Sequence, residues 1–143
     1  MKKVNYDEVP MAFGQCTSQS CPMRENCLRS LAWQAVPKDV RLVTIINPAL
    51  TQEGENCPLY SSPVLVTYAR GFLGMQQNML TKHYTAFREF LCKKMGRNHY
   101  FDCRKGLVLI TPDEQTLIRQ ALAKVGADPE LAFDAYEDGF LWK

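Results

Sequence analysis

The chain has 143 residues, the size of one ordinary domain, with 46% hydrophobic and 22% charged side chains. That balance excludes a disordered chain, and no apolar run approaches the roughly 20 residues of a membrane-crossing helix. The net charge is +2, too small for a chain that binds polyanions through its overall field.

The start, MKKVNYDEVP, carries two lysines with no apolar stretch behind them, so no secretory leader is expected and a cytoplasmic location follows. The segment through Cys21 reads as irregular. A helix is expected from Pro22, whose missing N–H has no helical partner to lose at a first position. Cys27, Leu28, Leu31, Ala32 and Ala35 mark its buried face, and Pro37 stops it. Val40 to Ile46 is rich in β-branched residues and reads as a strand ended by Asn47-Pro48. Residues 47–63 contain Pro48, Gly54, Pro58 and Pro63 and form the longest expected loop, with Cys57 inside it.

Much of Val64 to Leu80 is expected to be helical, although VLVTY suits extended chain and Gly71 and Gly74 disfavour helix. The next helix has a sharper signature. Thr81 caps it, Tyr84, Phe87, Leu91 and Met95 form its stripe, and Gly96 ends it. His99–Cys103 and Leu107–Ile110 flank Arg104-Lys105-Gly106, which reads as a β-hairpin. In TPDEQ, Thr111 caps, Pro112 takes the first helical position and Glu114 closes a capping box. Leu117, Ile118, Ala121, Leu122 and Val125 give that helix its buried face, and Gly126 ends it. Asp128-Pro129 opens a last short helix to about Asp138. Tyr136, Phe140 and Trp142 make an apolar end expected to dock on its own domain.

These elements describe an α+β fold: a mostly helical single domain, 1–143, with one β-hairpin and a cysteine-rich N-terminal segment. Residues 1–63 bear the metal-site region, and 64–143 the helices and hairpin. The order of the first six elements matches a winged helix, with 82–95 as recognition helix and 104–106 as wing tip.

Six cysteines in a chain expected to be cytoplasmic point to metal or reactive thiols before disulfides. Cys16, Cys21 and Cys27 lie in CTSQSCPMRENCLR, and Cys57 returns in CPLY. Zinc takes a tetrahedron of thiolate or imidazole ligands, and a structural site fills all four positions. Cys16 is expected in a loop, Cys21 at a helix edge, Cys27 about two turns inside that helix, and Cys57 on the proline-rich loop. A zinc ion there would pin the loop to the helix. The gaps of four, five and twenty-nine residues depart from the two-residue gap of a zinc knuckle. An iron–sulfur cluster is the competing occupant, and buried thiols and, had a leader been removed, disulfides are the remaining alternatives. Cys92 and Cys103 read as small core residues. His83 and His99 read as edge residues, with His99 a reserve ligand. No phosphate-binding glycine loop, nucleophile elbow or zinc-protease helix is present, so no catalytic residue is assigned.

Charge is polarised along the chain. Lys82, Arg88, Lys93, Lys94, Arg97, Arg104 and Lys105 face only Glu89 and Asp102 within residues 82–105, whereas residues 106–143 are net acidic. This stretch is the candidate surface for nucleic acid or an acidic partner. The competing explanation is a solvated helix face, with Lys93 and Lys94 answering the helix dipole. Asp134, Glu137 and Asp138 are expected to pair with the patch within the fold or across a homodimer.

The cysteine group together with NYDEVP, Tyr68-Ala69-Arg70-Gly71-Phe72, Gly96-Arg97, Arg104-Lys105-Gly106 and Thr111-Pro112-Asp113-Glu114-Gln115 resembles an uncharacterised family of small four-cysteine cytosolic proteins from Bacteroides-type bacteria. The resemblance runs nearly end to end. It implies a single domain with a metal-binding cysteine group and brings no activity. The functional expectation is therefore a non-enzymatic, zinc-stabilised binding module that contacts nucleic acid or an acidic partner through residues 82–105. The alternatives are an iron–sulfur or thiol redox protein and a protein–protein adaptor.

Overall fold

The computed structural model describes residues 2–143. The chain forms two compact units: one runs to Leu65 and resumes at Phe140, and the other is Val66–Gly139. No described helix is long and apolar enough to cross a membrane.

The first unit is largely irregular. Short 3-10 turns at Tyr6–Glu8 and Pro48–Leu50 are capped by the side chains of Asn5 and Asn47. Its one α-helix, α1, is Leu28–Gln34. The helix expected from Pro22 starts six residues later. Residues 21–26 close only three-residue turn bonds, from Arg24 N to Cys21 O (3.1 Å) and Asn26 N to Met23 O (2.9 Å). Cys27 is consequently the N-cap of α1 and not a residue two turns inside it. Burial decides the boundary, because Leu28 and Ala32 are the first helical positions fully covered.

The strand expected over 40–46 is reduced to one parallel bridge, Gln15 with Ile45. Gln15 N donates to Thr44 O (2.8 Å) and Ile46 N to Gln15 O (3.0 Å). The β-branched run fits extended backbone, but a strand needs a partner ladder, and Leu42 is 89% exposed. The core comprises Phe13, Leu28, Ala32 and Phe140, with Trp142 packed against it. Phe13 and Trp142 meet edge to face at 5.0 Å, so the apolar C-terminal end docks within its own unit, as expected.

The second unit contains the sheet of β1 (Leu65–Arg70) and β2 (Ala135–Phe140), whose terminal residues Leu65 and Phe140 belong to the first unit. The helices α2 (Leu73–Gln77), α3 (Thr81–Met95), α4 (Arg97–Lys105) and α5 (Pro112–Lys124) lie between the strands in sequence. Asp134 N donates to Gly71 O (2.9 Å) and Leu141 N to Val64 O (2.9 Å), which makes the pair antiparallel. The stretch expected to be mostly helical, 64–80, thus divides at Gly71, whose φ of +72° breaks the chain between strand and helix. Phe72, itself without a side-chain cap, precedes α2, and Asp134 caps that helix from across the unit. Its carboxylate accepts from Leu73 N (2.8 Å) and Gly74 N (2.9 Å).

Two expectations are overturned here. Residues 99–110 are not a hairpin: 97–105 is α4, with Tyr100 and Cys103 buried three residues apart on one face. Gly106, at φ +78°, ends α4 in the left-handed conformation, so Arg104-Lys105-Gly106 is a helix end and the winged-helix order fails. The short helix expected over 128–138 is replaced by a turn, in which the Asp128 side chain accepts from Glu130 N (2.9 Å), followed by β2. The α+β class holds, with helix outweighing strand.

The core of this unit centres on Phe72, whose ring meets Phe87, Tyr100 and Phe133 edge to face at 5.6–6.4 Å. α3 packs against both α4 and α5. The α5 capping box forms as expected: Glu114 N donates to Thr111 Oγ1 (3.3 Å), and Glu114 Oε1 accepts from Thr111 N (3.1 Å).

Candidate metal centre

Cys16, Cys21, Cys27 and Cys57 line one cavity of about 80 Å³ in the first unit. All four are half-buried free thiols. They reach it from different local structures: an extended segment, a turn, the α1 N-cap, and a turn in the proline-rich loop. Arg29 in α1 fixes two of these segments. Its Nε donates to Leu59 O (2.7 Å) and its guanidinium NH1 to Gly14 O (2.8 Å), two residues from Cys57 and from Cys16 respectively. The loop after Pro48 is drawn to the turn region by Glu53, which accepts from Ser18 and Ser20. Gly54 N points at Cys21 Sγ, 3.5 Å away.

The four cysteines share this one cavity. Among the described residues, a tighter donor cluster lies in the second unit, where the ligand atoms of His99, Cys103 and Glu114 all fall within 4.8 Å of one another. His99 and Cys103 are one turn apart on α4, and Glu114 is the third residue of α5. Glu114 Oε2 lies 2.5 Å from His99 Nε2, and Cys103 Sγ lies 3.5 Å from the same nitrogen. Burial, reinforced by Glu114 and Asp102, pushes the Cys103 thiol up to about 12. This set escapes the sequence reading because 99–103 reads there as a strand, which puts His99 and Cys103 four residues apart along an extended chain. The signal that would have found it is their i, i+4 spacing on a helix.

The basic residues 82–105 lie on α3 and α4, joined through Gly96. Lys82, Lys93 and Lys105 are exposed. Arg88 lies over Tyr84, Lys94 over Phe90, and Arg97 and Arg104 over Phe101, with Arg104 also donating to the Tyr84 hydroxyl (2.8 Å). The acidic residues expected to answer this patch have other roles: Glu137 pairs with Arg70 (2.9 Å), Asp138 accepts from Thr67, and Asp134 caps α2.

No curated protein and no solved structure matches the chain. Residues 1–142 match the model described as "Family of unknown function (DUF6078)", and the chain belongs to that family.

Proposed function

We propose that the first unit is a metal module in which Cys16, Cys21, Cys27 and Cys57 hold one structural zinc ion, and that the chain is a binding protein and not an enzyme. The observation that carries this is the convergence of four thiols, from segments with little regular structure, on one cavity. Thiolate ligands suit zinc, and an ion held by all four would tie the segments around Cys16–Cys27 to the one around Cys57. The unit needs such a tie. Its core has four buried apolar residues, against twelve in the core of the second unit. The Gly54 N–H aimed at Cys21 would orient that sulfur and soften its charge once ionised.

Metal analysis of the purified chain with single Cys→Ser changes tests the reading. Loss of one zinc equivalent on substitution at 16, 21, 27 or 57, and no loss on substitution at 92, is the expected result. Metal content indifferent to all four substitutions refutes it, and visible absorbance with stoichiometric iron after anaerobic purification transfers the site to an iron–sulfur cluster.

A second reading concerns α3 and α4, where seven basic residues outnumber two acidic ones. Their surface suits a polyanion such as nucleic acid or an acidic protein, with exposed Lys82, Lys93 and Lys105 as phosphate contacts. Binding that weakens steeply with salt is expected. No binding at low salt leaves a protein–protein adaptor as the better description.

A further inference from the structure

We propose that His99, Cys103 and Glu114 form a separate site for one divalent transition metal of the zinc class, with a coordination position left open to solvent. The donor set is one imidazole nitrogen, one sulfur and one carboxylate oxygen within 4.8 Å of each other. Calcium and magnesium prefer oxygen alone, whereas mixed N, S and O donors suit zinc and its neighbours.

The distances fit. Zinc bonds of about 2.0 Å to nitrogen and 2.3 Å to sulfur, at a tetrahedral angle, place the two donors roughly 3.5 Å apart. Cys103 Sγ and His99 Nε2 are 3.5 Å apart. Glu114 Oε2, at 2.5 Å from that nitrogen, is at hydrogen-bond range and must withdraw by roughly 0.8 Å to reach the tetrahedral N–O spacing of roughly 3.3 Å. Its other oxygen, Oε1, is held by Thr111 N and Oγ1 (each 3.1 Å), so the carboxylate turns about an anchored end.

The convergence on one atom is the second argument. A Cys–His–Glu relay for nucleophilic chemistry uses both ring nitrogens, one toward the thiol and one toward the acid. Here thiol and carboxylate both face Nε2, and one nitrogen cannot donate to the acid while accepting from the thiol. A cation satisfies all three donors at once, with the Cys103 thiol giving up its proton to water. The His99 side chain is 44% exposed and that of Glu114 23%, so one side of the site faces solvent. Three protein ligands with an open fourth position is the arrangement that leaves room for water or substrate.

The test is a zinc titration of the 15N-labelled full chain, read at the ring nitrogens of His83 and His99, the only two histidines. The His99 signals should move and saturate while those of His83 stay. Glu114→Gln, which retains capping-box chemistry, should weaken zinc at this site at least ten-fold while the metal-free chain keeps the far-UV CD spectrum of the parent. His99 signals unmoved by zinc overturn the site, and an unchanged affinity in Glu114→Gln overturns the three-ligand arrangement. Cys16→Ser and Cys57→Ser should leave the His99 response intact. Its disappearance in those variants would also overturn the proposal, whereas their loss of zinc alone concerns only the cysteine module.

Discussion

Arg29 offers the sharpest quantitative test of how the first unit is held. Its guanidinium donates to the carbonyls of Leu59 and Gly14 and lies 4.8 Å from the Phe13 ring centre. A hydrogen bond involving a charged partner contributes about 1.5–3 kcal/mol, and a partly exposed cation–π contact about 0.5–1 kcal/mol. Arg29 is half-buried, so the lower end of each range applies, and Arg29→Met should cost about 3.5 kcal/mol. Arg29→Lys keeps the cation but cannot span both carbonyls, and should cost about 1.5–2 kcal/mol. Urea unfolding in the presence of chelator, followed by tryptophan fluorescence, isolates the effect because Trp33 and Trp142 both belong to this unit. With a slope of about 1.5 kcal/mol/M, the midpoint of Arg29→Lys should fall by about 1 M. A midpoint within about 0.3 M of the parent at the same slope would refute the fork. Equal losses in the Lys and Met variants would also contradict it, since charge without geometry would then count for nothing.

Three further outcomes are expected. Gly71→Ala should destabilise the second unit by about 1–3 kcal/mol, because φ is +72° and the new Cβ would meet Asp134 Oδ2 at 2.7 Å; an unchanged far-UV CD melt argues against that strain. Asp134→Ala should cost about 1–2 kcal/mol by removing the cap from α2, with Asp134→Asn recovering most of it; equal melting of all three chains would show that the cap is idle. Cys103 should be the slowest of the six thiols to react with iodoacetamide in metal-free protein, being fully buried with its thiol pushed up to about 12, and mass spectrometry showing early labelling there would contradict its placement.

What the sequence made legible was local and hydrogen-bonded. The Thr111–Glu114 capping box, the Gly96 stop and the stripe of α3 are set by residues a few positions apart, and each is found where expected. The errors share one cause, which is dependence on distant partners. Val40–Ile46 has strand chemistry and finds only Gln15 to pair with. Residues 135–140 look unremarkable alone and become a strand because β1 accepts them. His99–Cys103 is too short for periodicity to separate strand from helix, and the glycine after it fits a hairpin turn as well as a helix end. The sequence shows which cysteines lie near one another along the chain but not what they hold, whereas the His99 cluster depends on where α4 meets α5 and is invisible in it.

The joint at Gly96 has a consequence for the length of this segment. One residue with φ +87° joins the end of α3 to the start of α4. Adding or deleting a residue there would change the direction and rotation with which α4 leaves α3, because a single non-helical residue sets both. Tyr100 and Cys103 would rotate out of the core, and His99 would swing away from Glu114. The phase angle between these helices is thus set by chain length at a single position, which makes this joint a poor place for insertions that the long loop of residues 47–63 would accommodate.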